Sequence, residues 1–256
     1  MARASSILSD YAELGYVESI PILDPDEVRH YRAQVDRTSA LLGGQTSRLN
    51  APHLFFRWAW DLAIHPRLLD CLEQFLGPDI LLKSTRIFYK QARSAAFVGW
   101  HQDGITEREE GAHVPAIWLG LTEATAENGC LRVVPRSHHL GLVRHEDFPD
   151  PDNLTTQGVT AQVEIGAPHD VIMRAGEMSL HHPLVLHASK PNETDEARIG
   201  FSATYSNAML AASRTPVAWV RGSGPTDRFE LAVPPPDAPP EHSVAAYRTF
   251  IARTSM

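Results

Sequence analysis

A long series of short strand-like segments constrains the fold of this chain more than any other feature of its sequence. From Ile80 to about Asn207, apolar, β-branched and aromatic stretches alternate with turn residues. Among these turns is Asn128-Gly129, a dipeptide typical of β-hairpins. The pattern predicts a mainly β protein with flanking helices, in which the core is a double-stranded β-helix, the cupin-like jelly roll.

Helices are predicted on both sides of this β region. Positions 24–27 read Asp-Pro-Asp-Glu and supply an N-cap, a first-turn proline and a capping-box glutamate, so a helix is expected to run from there to about Leu41. Residues 65–76 carry apolar side chains at helical spacing. A proline-rich linker at 234–240 precedes a predicted terminal helix at 244–253.

The length of the chain, 256 residues, favours one domain, because β barrels of about this size commonly fold as a single unit. We expect a single domain over 1–256. Its parts are a helical N-terminal part at about 1–79, a jelly-roll core at about 80–207 and a C-terminal extension at about 208–256.

Composition limits the classes of partner. The formal net charge is −8 and no basic cluster is present, which argues against nucleic acid or an anionic membrane. Two cysteines make a disulfide framework unexpected, no cationic and apolar leader opens the chain, and no apolar run is long enough to span a bilayer. We therefore expect a cytoplasmic protein with a small-molecule substrate. The sequence leaves the oligomeric state open.

The tripeptide His101-Gln102-Asp103 is a candidate metal-binding motif. Side chains alternate between the two faces of a strand, so His101 and Asp103 project to the same side while Gln102 points away. A second histidine, His187, lies in another apolar run. Two imidazoles and one carboxylate on one face of a metal leave open positions, which is the arrangement of non-haem iron(II) oxygenases.

Arg198 opens a third strand-like run, eleven residues after His187. Its guanidinium is permanently charged and offers two parallel donors, which suits the far carboxylate of an oxoacid bound at the metal. Ser202 has the same strand parity as Arg198 and could donate a further hydrogen bond.

Over roughly residues 10–207 the chain resembles the phytanoyl-CoA dioxygenase (PhyH-like) branch of the iron(II)/2-oxoglutarate-dependent oxygenases. The metal motif carries part of the resemblance. The rest comes from residues 118–138, which read as an apolar strand, an Asn-Gly turn and a strand that closes in Pro-x-Ser-His. One departure is Arg136, which stands where the family often has glycine between the proline and the serine.

The resemblance implies a role for each matching residue. His101, Asp103 and His187 would bind iron, and Arg198 would anchor the distal carboxylate of 2-oxoglutarate. Three further residues match positions that line the co-substrate pocket in the family. These are Lys90, Trp118 and Ser189.

The reaction that the resemblance implies uses iron(II), 2-oxoglutarate and dioxygen to hydroxylate or otherwise oxidise an unactivated C–H bond, with release of succinate and carbon dioxide. Related halogenases have Ala or Gly in place of the carboxylate, so the intact Asp103 favours oxygenation. Desaturation, ring closure and epimerisation stay open.

The primary substrate is the least constrained part of this prediction. Arg86, Phe88 and Arg132 share parity with residues expected to face inward, which makes them candidates for substrate contact, although a buried aromatic ring and paired arginines explain them as well. No glycine-rich cradle or compact basic cluster for the phosphates of an acyl-CoA is visible. This favours a metabolite or a biosynthetic intermediate as the substrate.

Two other classes of function remain possible from sequence alone. The chain could be a cupin-type metal enzyme that does not use 2-oxoglutarate, or a non-catalytic barrel that acts as a binding module. Arg198 could instead pair with a surface acid such as Glu196. The remaining histidines, among them His113, His138, His139, His181 and His182, are expected to be surface or hydrogen-bonding residues rather than ligands.

Overall fold

Two facing antiparallel β-sheets organise the protein. The computed structural model describes residues 2–44, 47–103, 115–154, 159–162, 164, 166–209, 216–224 and 227–254. Within these residues a large sheet, a smaller sheet and a separate strand pair carry the β structure, and helices precede and follow them. The predicted class, mainly β with flanking helices, is confirmed. No helix among the described residues has the length and apolar character to cross a bilayer.

The helices lie mostly in the N-terminal part of the chain. They are α1 (Ala2–Leu14), α2 (Pro25–Leu41), α3 (Arg57–Ala63), α4 (Pro66–Leu76) and α5 (Pro240–Thr254). The capping box forms as predicted: the Asp24 carboxylate accepts from the backbone N–H of Glu27, and the Glu27 carboxylate accepts from that of Asp24. The predictions of α2, α4 and α5 are confirmed within a few residues, whereas α1 and α3 were not predicted.

The major sheet has the strand order β1-β10-β5-β12-β3-β13, and β2 also pairs with β3. Its strands are β1 (Tyr16–Pro21), β2 (Arg48–Asn50), β3 (Ile80–Lys90), β5 (Ala116–Gly120), β10 (Glu177–His181), β12 (Arg198–Asn207) and β13 (Ala218–Arg221). The sheet thus extends beyond the predicted core at 80–207, because β1 and β2 come from the N-terminal part and β13 from the C-terminal extension.

The minor sheet has the order β4-β11-β6-β9 and faces the major sheet. Its strands are β4 (Val98–His101), β6 (Leu131–Val133), β9 (His169–Val171) and β11 (His187–Ser189). The separate pair consists of β7 (His145–Asp147) and β8 (Val159–Ala161). Because strand pairing is antiparallel throughout both sheets, this is the two-sheet jelly-roll arrangement that the sequence predicts.

The two faces of the major sheet have different partners. Ile87, Leu119 and Phe201 are fully buried on the outer face, in the same core as the leucines of α3 and α4. The alternate residues on the inner face are directed towards the minor sheet, where Trp118 packs with Val133. The functional residues of the major sheet must therefore be sought on the inner face.

The Asn128-Gly129 turn connects the two sheets instead of closing a hairpin. The strands before and after it, β5 and β6, belong to different sheets and do not pair with each other. Gly129 has a φ of 75°, and the Asn128 side chain accepts from the backbone N–H of Thr125. The hairpin prediction was wrong because the dipeptide specifies a local turn, not the partner of the strand that follows.

The turn that closes the Pro-x-Ser-His segment forms with Arg136 in place of glycine. Arg136 adopts the left-handed conformation, with a φ of 69°, which explains why glycine is favoured there. Its backbone N–H donates to the carbonyl of Leu14 at 2.8 Å, and its guanidinium pairs with Glu13. These two bonds attach the end of α1 to the turn.

Candidate metal and co-substrate site

His101, Asp103 and His187 come together as the sequence predicts. The potential ligand atoms of these residues all lie within 4.8 Å of one another. Antiparallel pairing of β4 with β11 places His187 opposite His101. The Nε2 atoms of His101 and His187 lie 3.7 Å and 3.8 Å from Oδ1 of Asp103. His101 and His187 therefore converge from two neighbouring strands, and Asp103 joins them from just beyond the end of β4.

Hydrogen bonds orient both imidazoles. Nδ1 of His101 lies 2.9 Å from the carbonyl oxygen of Gly99, and Nδ1 of His187 lies 3.0 Å from that of Val185. Since a carbonyl only accepts, each Nδ1 carries the proton and each Nε2 presents its lone pair to the cluster. Histidines that bind metals are commonly held by the other ring nitrogen in this manner.

The charges of the cluster fit a divalent cation. Burial lowers the pKa of both His101 and His187, so both rings are neutral at pH 7. Burial alone would raise the pKa of Asp103, but the neighbouring His187, His181 and His101 imidazoles together lower it below its ordinary range. Two neutral nitrogen donors and one carboxylate with open sides match the ligand set that non-haem iron(II) takes.

His181 is a further residue of this site that sequence analysis did not assign to it. It lies on β10 of the major sheet, and its Nε2 is 3.3 Å from Oδ2 of Asp103. Its ring centroid is 4.6 Å from that of His187. His181 therefore contacts the cluster from the opposite sheet. It holds Oδ2 of Asp103, whereas Oδ1 is the oxygen nearer to His101 and His187.

Gln102 points away from the metal cluster, as predicted. Its amide nitrogen donates to the carbonyl oxygens of Gly141 and Leu184 at 2.8 Å and 2.7 Å, and its amide oxygen accepts from the backbone N–H of Val143 at 2.9 Å. These bonds fix the residue between His101, which ends β4, and Asp103. Gln102 thus attaches this segment to the loops behind it.

Arg198 and Lys90 form a buried cation pair on the inner face of the major sheet. They stand opposite each other in the β12–β3 ladder, and each is almost completely buried. Arg198 donates through Nε (3.2 Å) and Nη2 to the carbonyl oxygen of Gly129, so the alternative pairing with Glu196 is not observed. Among the described residues no carboxylate lies within 4 Å of either cation.

Trp118 covers the space between these residues. Its indole lies across Gly200, where a Cβ atom would overlap the ring, and its centroid is 4.8 Å from the Arg198 guanidinium carbon. A cation over an aromatic face is attracted by the ring quadrupole. The indole thus forms one wall of the space in which the cation pair lies.

Ser189 connects the cation pair to the metal cluster. Nζ of Lys90 donates to Oγ of Ser189 at 2.8 Å and also to the carbonyl oxygen of Lys190. Ser189 is two residues from His187 on β11, a rise of about 7 Å along a strand. The metal cluster and the buried cations are therefore neighbours on the inner face of the barrel.

Burial also changes the acidity of the two cations. Burial and the nearby Arg198 charge lower the pKa of Lys90 to about 6, and burial lowers the pKa of Arg198 to about 10. Charging both groups at once without an anionic partner is costly in a protein interior, which is why the lowered pKa leaves the Lys90 amine mostly neutral above pH 7 in the absence of a ligand. The arrangement is suited to an anion that arrives with a ligand.

The other predicted residues differ in where they lie. Ser202 and Arg86 stand opposite each other on the inner face, and Trp118 is the partner of Ser202 on the other side. Phe88 lies on the same face, one position along β3 between Arg86 and Lys90. Ser202 is four residues from Arg198, about 13 Å along the strand, so only an extended Arg198 side chain brings the two groups near one ligand.

Arg132 was wrongly expected to face inward. It pairs in register with Ala188 and Asp170, whereas the neighbouring Val133 pairs with His187. Its Nε donates to Asp170 at 2.7 Å and its guanidinium lies over the ring of Trp100 at 5.7 Å. Because successive side chains alternate between faces, Arg132 lies on the outer face of the minor sheet.

The remaining histidines fit their predicted role as hydrogen-bonding or surface residues. Nε2 of His138 lies 3.1 Å from the carbonyl oxygen of Ala12, and Nδ1 of His182 accepts from the backbone N–H of Leu184. Among the described residues, only the cluster of His101, Asp103 and His187 groups enough donors for a metal. His113 lies outside the described residues.

The sequence of the chain matches those of known proteins. Residues 11–200 match the family model described as phytanoyl-CoA dioxygenase (PhyH). The L-proline trans-4-hydroxylase of Streptomyces griseoviridis is 29% identical over 194 residues, 68% of this chain and 70% of the relative. The ectoine dioxygenase of Nocardia farcinica is 26% identical over 221 residues, 74% of this chain and 73% of the relative.

A solved structure shows the same fold over nearly the whole chain. The apo form of the non-haem monooxygenase ThoJ superposes with a TM-score of 0.80 and 27% identity, covering 96% of this chain and 95% of ThoJ. The family model matches well over half of the sequence. The chain belongs to the phytanoyl-CoA dioxygenase family of iron(II)- and 2-oxoglutarate-dependent dioxygenases.

Proposed function

We propose that the protein oxidises a C–H bond of a small molecule, using an iron(II) ion held by His101, Asp103 and His187 and a 2-oxoglutarate held by Arg198 and Lys90. The observation that carries the proposal is the spacing of two features. His187, in the cluster of two neutral imidazoles and a carboxylate, is two residues along β11 from Ser189, which accepts from Lys90. Lys90 and its neighbour Arg198 are buried and lack an anionic partner among the described residues.

Each residue contributes through binding and orientation. The Nε2 atoms of His101 and His187 and the carboxylate of Asp103 hold the metal, while Gly99 and Val185 fix the two rings. When bound, iron(II) with 2-oxoglutarate and dioxygen supplies the oxidising power for C–H cleavage and yields succinate and carbon dioxide.

The co-substrate end of the site provides the positive charge. Arg198 offers a two-donor fork to the distal carboxylate of 2-oxoglutarate, and Lys90 adds a second cation beside it. Trp118 and Ser189 line the same space, and the Trp118 ring excludes water from the guanidinium. A cupin-type enzyme that uses only a metal would have no use for two buried cations at this position.

The substrate is proposed to be a small metabolite or a biosynthetic intermediate. The two relatives described above are named for proline and ectoine, which are both small molecules. Arg86 and Phe88 on the inner face are proposed to contact the substrate, whereas the outward-facing Arg132 is not.

We infer a reducing compartment, consistent with a cytoplasmic location, from the two cysteines. Cys71 and Cys130 are both free and buried. Buried free thiols are the usual state of cysteine in reducing compartments, where disulfides are rare.

Anaerobic reconstitution tests the proposal directly. The purified protein is loaded with iron(II) and then with 2-oxoglutarate, and the visible metal-to-ligand charge-transfer band is recorded in wild type and in Arg198→Ala. We expect the band in wild type and a weaker band at equal 2-oxoglutarate concentration in the variant, because the distal carboxylate loses its two-donor partner.

Arg93→Ala is the matched control, since Arg93 is exposed and pairs only with the surface residue Asp195. The control should retain the wild-type band. A protein that binds iron(II) fully and gives no band with 2-oxoglutarate would contradict the proposal and favour a metal enzyme of the cupin type.

A further inference from the structure

Arg48 and Arg86 form a second pair of cations on the inner face of the major sheet. β2 pairs with β3 so that Arg48 stands opposite Phe88 and Asn50 opposite Arg86, which makes the two arginines diagonal neighbours. Both side chains are half-buried. Among the described residues, no carboxylate lies within 4 Å of either guanidinium, and the Arg86 guanidinium donates no hydrogen bond.

This pair is separate from the cations proposed to hold 2-oxoglutarate. Arg86 and Lys90 are four residues apart on β3, about 13 Å along the strand, and Phe88 lies between them on the same face. The cross-strand neighbour of Arg86 is Ser202, which in turn neighbours Trp118. One ligand carboxylate therefore does not reach both pairs.

Hydrogen bonds nevertheless link this pair to the strand that carries His101. Arg48 donates to the carbonyl oxygen of Leu154 at 2.7 Å, and the N–H of Leu154 donates to the carbonyl oxygen of Phe97 at 2.7 Å. Phe97 directly precedes β4, the strand that ends at His101. Arg48 thus bridges the major sheet to the strand that carries a metal ligand.

The strand order of the major sheet sets the separation between this pair and the candidate metal cluster. His181, which contacts Asp103, lies on β10, three strands from β3, and three strand spacings amount to about 14 Å before side chains fill part of the gap. Trp118 and Ser202 lie across this interval. A group held at the arginines would leave its far end at the metal.

We propose that Arg48 and Arg86 bind a carboxylate of the primary substrate and so fix which C–H bond faces the metal. This inference rests on the proposed function. Two like charges close together repel each other. A carboxylate that accepts hydrogen bonds from both guanidinium groups relieves that repulsion. Burial and the nearby Arg86 charge also lower the pKa of Arg48.

Calorimetric titration of the anaerobic iron(II) protein, saturated with 2-oxoglutarate, tests the assignment. The probes are 3-phenylpropionate and L-proline, each with its primary amide, and inorganic phosphate. We expect the carboxylates to bind more tightly than the amides. In Arg86→Gln the affinity for the carboxylates should fall by roughly tenfold or more, because a charge-assisted bond is lost. Arg48→Gln should act in the same direction, and Arg86→Lys should lose less than Arg86→Gln.

Arg29→Gln is the control, since Arg29 is exposed on α2 and pairs with Asp26. Equal binding of amides and carboxylates, no carboxylate binding, or unchanged affinity in Arg86→Gln would overturn the inference. Binding of phosphate alone would overturn the choice of a carboxylate.

The charge-transfer band of the same samples separates the two proposals. If the band is normal but the affinity for carboxylates does not change in Arg86→Gln, only this substrate site is rejected. Loss of the band in the wild-type protein rejects the proposed function itself. Arg86→Gln should unfold at the wild-type temperature or above, because the Arg86 guanidinium donates no hydrogen bond within the described residues and the substitution removes its repulsion with Arg48.

Discussion

The indole of Trp118 lies across Gly200 and meets the guanidinium of Arg198, so one aromatic ring spans two successive inner-face positions of β12. The contact requires glycine at position 200, since any Cβ would overlap the ring. The indole of Trp118 and the proposed co-substrate anchor, Arg198, are therefore coupled through a residue that has no side chain.

Gly200→Ala should weaken the binding of 2-oxoglutarate. The added methyl displaces Trp118 from Arg198, and overpacking of this kind costs about 1–3 kcal/mol of unfolding free energy. We expect a higher KM for 2-oxoglutarate in succinate-release assays and a lower midpoint of thermal unfolding. Gly166→Ala is the control, because its nearest neighbour outside the adjacent residues, Cγ1 of Val134, would lie at an ordinary 3.5 Å. An unchanged KM in Gly200→Ala would contradict the coupling.

His181→Phe should lower the affinity for the metal while the protein stays folded. Phenylalanine keeps a ring beside His187 but cannot hold Oδ2 of Asp103. Loss of such an outer hydrogen bond typically reduces metal affinity about 10–100-fold. Competition with a chelator measures the change, and His181→Gln should recover part of it. If iron(II) affinity in His181→Phe stays within about threefold of wild type, His181 does not position Asp103.

Lys90 should take up a proton when 2-oxoglutarate binds. Its pKa in the ligand-free protein is lowered to about 6, so at pH 7.5 most molecules hold a neutral amine. The arriving carboxylate favours the ammonium form and raises the pKa again. Calorimetry at pH 7.5 in buffers of different ionisation enthalpy should therefore show proton uptake on binding, and Lys90→Met should abolish it. Equal proton uptake in that variant would assign the proton to another group.

The same group gives a pH dependence of stability in the ligand-free protein. Between about pH 6 and the ordinary lysine pKa, the unfolded chain binds a proton at Lys90 that the folded chain does not. Unfolding free energy from this group consequently rises with pH across that range, by at most about 1.4 kcal/mol per pH unit. The slope in chemical denaturation between pH 6.5 and 8 should be smaller in Lys90→Met, since methionine carries no proton.

Asp24→Ala should destabilise the fold without affecting the site. The substitution removes the side chain that accepts from the N–H groups of Asp26 and Glu27 at the start of α2. Loss of such a cap costs about 0.5–2 kcal/mol. Chemical denaturation should show this loss, whereas the KM for 2-oxoglutarate should equal that of wild type. A changed KM would reveal an unexpected link between α2 and the barrel interior.

Strand alternation predicted that the side chains of His101 and Asp103 project to the same side, and their potential ligand atoms do lie close together with that of His187. The strand itself ends at His101, so Asp103 reaches this position from just beyond β4, which alternation alone does not explain. Alternation fails for Arg132, because parity says which residues share a face but not which face is the inner one. Deciding that point required the register of β6 with β11, in which Val133 and not Arg132 is paired with His187.

Residues that meet through pairing of distant strands could not be predicted. His181 reaches Asp103 only because β10 and β4 lie in opposite sheets, and Arg48 and Arg86 become neighbours only through the pairing of β2 with β3. The α3 helix was missed for a different reason. It spans seven residues with two tryptophans, too short a segment for a clear apolar period, and tertiary packing stabilises it.

The Asn128-Gly129 crossing from one sheet to the other has a consequence for folding. Its Gly129 carbonyl accepts from Arg198, and the residues around it complete the space beside Lys90. Neither sheet alone can present a finished binding site, so a half-assembled barrel has no means of retaining the co-substrate. Ligands that bind only the native state stabilise it by an amount that rises with the logarithm of their concentration once this exceeds the dissociation constant. 2-Oxoglutarate in the cell would therefore stabilise only those chains in which both sheets have assembled.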